Sequence, residues 1–245
     1  MTNFPGSGIC SEGCPADFAI TNTLEFREKY QPWKITPSAL NENQLGWVYV
    51  RGYSPTRHHT DPAVGGASIL WLRPGLFKMQ NPEAFNRAIL NALDMCVADT
   101  FSRSGGKIGK CNVVLDCDDV GFSKIPPIGP TKTLLKKMQD NYPDKLGVFV
   151  IANVSGAAQM FLKLVLPLLP QVVRQKIHIL PNDDEQRDAM LKELVHDDFI
   201  PTRLGGKDDY KFDAEKYYKT GQYEAESMSD TEGVEYYETM PYYAT

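Results

Sequence analysis

The chain has 245 residues, 42% of them apolar and 23% charged, with a formal net charge of −5. That fits one large domain or two small ones, with ample material for a core. It excludes a general nucleic-acid binder, which carries a basic footprint, and no stretch is long and apolar enough for a transmembrane helix.

Residues 1–23 are rich in Gly, Ser, Thr and Asn and carry no hydrophobic period, so they read as a flexible arm. They also lack the basic start and apolar core of a secretory signal. Leu24 to Tyr30 looks like the end of a helix halted near Pro32. Trp47 to Val50 and Ser68 to Leu72 read as strands, with a loop from Tyr53 to Gly66 between them. From Pro82 to Phe101, Phe85, Ile89, Leu93, Val97 and Phe101 recur every fourth residue. That pattern predicts an amphipathic helix, with Asn81-Pro82 as cap and first turn. Asn112 to Asp116 reads as a buried strand and Pro130 to Tyr142 as another helix.

The stretch from Asn141 to Leu180 organises the rest. Val148-Phe149-Val150-Ile151 is an unbroken apolar run, as expected of a strand covered on both faces. Ala157 to Val173 is apolar almost all the way round, carries only Lys163 as a charge, and is interrupted by Pro167 and Pro170. Lys176 to Leu180 is a second short strand. Strand, helix and strand make a βαβ unit of a parallel sheet. The helix is unusual because a crossover helix normally keeps a polar face for water. It is either buried under another layer or apolar because it meets something greasy on both sides. Asp183 to Val195 is a charged surface helix, and Leu204-Gly205-Gly206 ends the packed region. The alternation of strands and helices predicts an α/β domain with helices over a mixed β-sheet. Residues 207–245 hold ten Asp/Glu against four Lys/Arg, leaving the first 206 residues at about +1. The last part, 219–245, is acidic and Tyr-rich with little aliphatic content, and is expected to be disordered.

Catalytic and metal motifs are weak. Ser104 to Lys110 (SGGKIGK) has the wrong spacing for a phosphate loop and precedes a strand, so it reads as a plain loop. Cys10 and Cys14 with His58-His59 lack a C-x₂-C pair, so no metal site is expected. Asp116 with Asp118-Asp119 follows a strand, where acidic residues usually cap the next turn. No nucleophile elbow or Ser/His/Asp arrangement stands out. The chain is therefore expected not to be an enzyme and to need no cofactor. Five cysteines, with Cys96, Cys111 and Cys117 in apolar or strand-like surroundings, point to reduced thiols and a cytoplasmic protein.

Tyr142-Pro143-Asp144-Lys145-Leu146-Gly147 followed by VFVIAN resembles the YPE[RK]LG–strand–IN signature of CRAL-TRIO lipid-binding domains. LKLVLPLLPQVVRQKIHIL is similar to that family's gate helix and following strand. Ala67 to Gly75 resembles its RPG-terminated strand, Asn112 to Gly121 its V-DL-G strand, and Phe199 to Gly206 its closing ENLP–YGG. The resemblance covers Leu24 to Tyr218, with only Leu24 to Ile35 matching the end of the usual N-terminal helical region.

The resemblance implies a mixed sheet with flanking helices enclosing a hydrophobic lipid pocket, roofed by a gate helix. Phe161, Leu162, Leu164, Val165, Leu166, Leu168, Leu169 and Val173 would form the gate and pocket roof. Leu70, Leu72, Cys111, Val113, Leu115, Phe149 and Ile151 would line the pocket strands. Similarity to fungal phosphatidylinositol/phosphatidylcholine transfer proteins implies a headgroup site at Arg27, Asp144 and Lys176. Two cations suit a phosphodiester, and the carboxylate orients them. Asp144 is one methylene shorter than the family's Glu, Val173 replaces a Thr, and Cys111 and Val113 replace the Ser and Thr of choline-lipid members. The implied function is to bind one phospholipid, phosphatidylinositol first, and transfer or present it as a monomer that touches membranes transiently. Two alternatives stay open. One is a carrier of a smaller lipophile such as a sterol, tocopherol or retinoid. The other is an interaction module whose partner protein docks on the acidic tail.

Overall fold

Asn81 starts the longest helix, its side chain accepting hydrogen bonds from the Glu83 and Ala84 amides with Pro82 in the first turn. The helix, α3 (Pro82–Arg103), buries Phe85, Ile89 and Leu93 as the four-residue spacing predicts. It is one of eight α-helices in a computed structural model that describes residues 15–34, 37–54, 66–78 and 81–220. The arm up to residue 14, the Cys10/Cys14/His58/His59 grouping, most of the 53–66 loop and the tail from 221 lie outside the described residues.

Five strands form one sheet in the order β1 (Val48–Tyr53), β2 (Ser68–Leu72), β3 (Cys111–Asp116), β4 (Leu146–Ala152) and β5 (Ile177–Ile179). β1 runs antiparallel to β2 and the other pairs are parallel. The sheet is therefore mixed, as expected. α3 connects β2 to β3, and α4 (Ile128–Asn141) connects β3 to β4. The next crossover is segmented: α5 (Gly156–Val165), a 3₁₀ turn at Leu166–Leu168, and α6 (Gln171–Arg174). The breaks fall at Pro167 and Pro170, where a proline ring and a missing N–H interrupt the hydrogen-bond ladder. α7 (Asp184–Leu194) and α8 (Ala214–Thr220) follow β5.

Register fixes the faces. Leu70 pairs with Val113, Val113 with Phe149 and Phe149 with Ile177; Leu72, Leu115, Ile151 and Ile179 line up likewise. Since side chains alternate along a strand, the seven pocket-strand residues all share one face. α3 covers it over β1 to β3, pinned by Ser68, whose hydroxyl donates to Asp99 and whose amide donates to Thr100 Oγ1 at 2.8 Å. On the other face, Trp71 and Asp116 meet Arg203 of the C-terminal segment. The edge of β1 is closed by side chains. Asn43, after α2 (Pro37–Glu42), bonds both the amide and the carbonyl of Val48, and the Tyr217 hydroxyl accepts from Val50 N at 2.8 Å.

Two expectations are corrected. The helix before Pro32 is α1 (Pro15–Tyr30), so residues 15–23 are helical and not part of an arm. Its period is hidden because Ile20 and Leu24 face solvent. The apolar run at Val148-Phe149 is only half-buried; full burial in β4 begins at Val150. An apolar run signals a strand without saying what covers it.

Candidate functional site: an apolar sheet end, its segmented cover and a charged rim

The crossover from α5 to α6 lies over the β4–β5 end of the face that Leu115, Phe149 and Ile151 share. Ser155 caps α5, accepting from Ala158 N at 3.2 Å and donating to Val120 O at 2.8 Å. Leu162 and Ala158 pack with Ile151, Val154, Cys117 and Val120, and Leu115, Phe149, Leu166 and Ile177 lie against that cluster. Val165 is buried too, while Phe161, Leu169 and Val173 are intermediate. The other row of the same segment faces outward: Met160, Leu164 and Val172 are 59%, 63% and 65% exposed, and Leu168 is also exposed. The segment is thus apolar on both sides, with sheet beneath one and none of the described residues burying the other.

The remaining pocket-strand residues divide. Leu70, Cys111 and Val113 are buried in the main core, with Leu72 packed on its border. Cys111 lies against Cys96 of α3, whose thiol is pushed well up by burial first and by that neighbour second. So the end of this face under α3 is filled by protein, and the end under α5 carries the half-buried positions Leu115, Phe149 and Ile177.

The charged rim lies at the N-terminal ends of β3, β4 and β5. Asp144 precedes β4 in the left-handed region, at φ +52°, and takes Lys110 Nζ at 3.1 Å and Lys176 Nζ at 3.2 Å. These two ammonium groups hold its carboxyl below the usual carboxylate range. Lys176 Nζ also donates to Leu146 O at 2.6 Å. Gly147 follows because β3 and β4 come close at a bulge there; a Cβ would collide with Asn112 Oδ1, which accepts from Val148 N at 2.9 Å.

The structure therefore brings Asp144 and Lys176 together but gives Arg27 a different partner. The Arg27 guanidinium forms a fork on Asp94 of α3 at 3.1 and 3.2 Å, and lies 5.7 Å from the Trp33 ring and 5.9 Å from the Tyr142 ring. Burial pushes the Asp94 carboxyl up to about 6 against the pull of Arg27. Tyr142 and Lys145, which also acts on Asp94, bracket Asp144 in the chain, so the two ion-pair groups are joined by one turn. Sequence reasoning missed Lys110 and Asp94. Lys110 sits at the end of the SGGKIGK loop, whose Ser104 hydroxyl accepts from the Lys107 and Ile108 amides as in a plain turn.

At the acidic strand end beyond β3, Asp116 is tied into internal contacts. Asp116 accepts from Asp118 N at 3.1 Å, caps the turn as predicted, and bonds Asn153 and Arg203. A cleft of about 330 Å³ opens beside it, where Arg187 is held by Asp184, Asp188 and Asn153. Among the described residues no cluster of His, Cys, Asp and Glu has the geometry to hold a metal ion, and no helix is long and apolar enough to cross a membrane.

Comparison with known proteins places this geometry. The chain is 30% identical over 173 residues to the phosphatidylinositol transfer protein PDR17 of Saccharomyces cerevisiae, spanning 63% of this chain and 48% of that protein. It is 24% identical over 136 residues to the Sec14 cytosolic factor of Schizosaccharomyces pombe, spanning 54% and 46%. The chain thus spans about half the length of these curated relatives. Among solved structures, that of Sfh5 matches with a TM-score of 0.58 at 17% identity, over 84% of this chain and 72% of that one, which shows the fold. With the CRAL/TRIO domain model matching residues 57–206, a sheet of this topology and a proline-segmented crossover above it, the chain belongs to the CRAL/TRIO domain family.

Proposed function

We propose that this chain binds a single lipid between the β4–β5 end of its sheet and the α5–α6 segment, and transfers or presents it at membranes. The observation that carries the reading is the two-sided apolar segment, with Leu162 and Val165 turned in and Met160, Leu164 and Val172 turned out. Exposed apolar side chains in such a row mark an interaction surface. A segment that faces acyl chains on one side and a bilayer on the other has no use for a polar face. Moving a two-chain lipid through water exposes roughly 30 methylenes at ~0.8 kcal/mol each, which pocket walls must replace.

Phosphatidylinositol is the first ligand. Lys176 and Lys110 flank one carboxylate at distances that suit exchange for phosphodiester oxygens, and the relative PDR17 is named for phosphatidylinositol transfer. Arg27 joins the headgroup only by opening its fork on Asp94. A smaller lipophile is the second reading, favoured by that fork, since Arg27 already has a carboxylate of its own.

Native mass spectrometry with lipid extraction, on protein purified from cells, tests the reading. One phospholipid per chain is expected, with phosphatidylinositol prominent, and Lys176→Ala should retain several-fold less of it. A small neutral lipophile unaffected by Lys176→Ala favours the second reading. A protein that stays empty after incubation with liposomes overturns both.

A further inference from the structure

Seven of the eleven exposed large hydrophobic residues described lie in two stretches, residues 120–139 and 156–181. The second stretch holds the outward row of α5 to α6, with Ile179 beyond it. The first holds Phe122, the most exposed of all at 73%, and Ile128. In a chain of net charge −5, neither stretch contains an Asp or Glu. Together they carry seven cations: Lys124, Lys132, Lys136 and Lys137 in the first, Lys163, Arg174 and Lys176 in the second. Among the described residues, several exposed apolar side chains share a stretch with unopposed positive charge in these two places.

The two stretches form one surface. Ser155 Oγ, at the start of α5, donates to Val120 O at 2.8 Å. Ile125 packs in the cluster that holds Leu162 and Leu166. Gln139 Nε2 donates to Leu168 O at 3.2 Å. Along α4 the exposed positions Ile128, Lys132, Lys136 and Gln139 follow one another at four, four and three residues, so they share a helix face that ends against α5–α6. Phe122 sits in a 3₁₀ turn, Phe122–Lys124, braced where Lys124 Nζ donates to Gly75 O at 2.7 Å. Some of the charge is already engaged, since Lys136 pairs with Asp140 and Lys137 lies over the Tyr30 ring. Lys132 is exposed on the shared face.

We propose that residues 120–139 are a second membrane-contacting element, with Phe122 entering an anionic bilayer beside the α5–α6 segment and the α4 lysines resting on its phosphates. This rests on the lipid-carrier reading for its neighbour but not for its own test. A bilayer fits better than a protein because the apolar residues protrude from separate elements among cations with no acidic residue in either stretch. Lysines around such a protrusion add attraction that depends on lipid charge. Anchoring outside the moving segment holds the protein in place while that segment opens.

The experiment is co-flotation of the whole chain with vesicles of phosphatidylcholine alone or mixed with phosphatidylserine, together with melting temperature and bound-lipid content. Phe122→Ser should lower the partition onto mixed vesicles roughly tenfold, with melting temperature and bound lipid unchanged. Lys132→Glu should lower it roughly thirtyfold on mixed vesicles, at about 1 kcal/mol for each unit of charge changed, and leave the phosphatidylcholine value alone. Leu45→Ser, an exposed apolar site outside both stretches, should change nothing. Parent-like partition of Phe122→Ser, beside a Leu164→Ser variant that loses binding, overturns the second element. So does a parent that ignores vesicles but dimerises, with Phe122→Ser restoring the monomer. A parent that binds vesicles through Phe122 yet never carries lipid keeps this element and removes the carrier reading.

Discussion

The two ends of the sheet are built to different standards. At the β1–β3 end, Val48, Val50 and Leu70, on the face under an unbroken 22-residue helix, and Ile69, Trp71 and Val114, on the opposite face, are each no more than 1% exposed. At the β4–β5 end, the first four residues of β4 are half-buried, and His178 and Ile179 lie open. The crossover there is ten helical residues, a turn and four more. One end is a filled core; the other is a floor with a jointed cover held by Ser155, Leu162 and a single described hydrogen bond from Gln139. Local stability follows buried apolar contact, so regions that move are drawn from its low end. The difference teaches that the fold gives up packing at one end of a continuous sheet, where the proposed exchange of a guest would need it, and keeps it at the other.

Substitutions can break that comparison. Trp71→Ala, which removes a fully buried indole whose Nε1 donates to Arg51 O at 2.9 Å, should cost about 3–5 kcal/mol in urea unfolding. A loss under 1 kcal/mol would mean the filled end is not the anchor. Asp94 gives the next effect. Its carboxyl, raised by burial to about 6 from an ordinary 3.8, binds its proton more tightly folded than unfolded. Its contribution is therefore fully present below 3.8 and lost as pH rises through about 6. The stability of the parent relative to Asp94→Asn should thus rise by roughly 2–3 kcal/mol on acidification from pH 7 to pH 4. A difference that stays flat with pH would show that folding leaves the proton affinity of Asp94 unchanged. Leu164→Ser sits at the small end. Exposed at 63%, it should shift unfolding by less than about 0.5 kcal/mol while reducing vesicle partition several-fold. A larger stability loss would mean the outward row is packed in solution.

Local signals carried most of the fold. The α3 stripe, its Asn81-Pro82 start and the proline breaks at 167 and 170 act between near neighbours, so the residues themselves disclose them. The shared face of Leu70, Val113 and Phe149 was legible once the strands were placed, because pleating fixes parity. Other features depended on partners far along the chain. Arg27 reads as an available cation until Asp94, 67 residues away, claims it. Lys110 belongs to a loop with no pattern of its own, and the pairing of β3 with β4 carries it to Asp144. The half-burial of Phe149 depends on how far the α5–α6 cover reaches, which no property of the VFVI run encodes. The headgroup assignment of Arg27, Asp144 and Lys176 came from family resemblance alone, and the structure supplies two of the three as neighbours.

The guarded edge of β1 has a consequence for synthesis. The hydroxyl that occupies Val50 N belongs to Tyr217, 167 residues later. At about 5–20 residues per second, a nascent chain displays that strand edge for on the order of ten to thirty seconds before its guard is translated. Asn43, five residues before Val48, is available at once and covers the first position. The second stays open to any passing strand until α8 emerges.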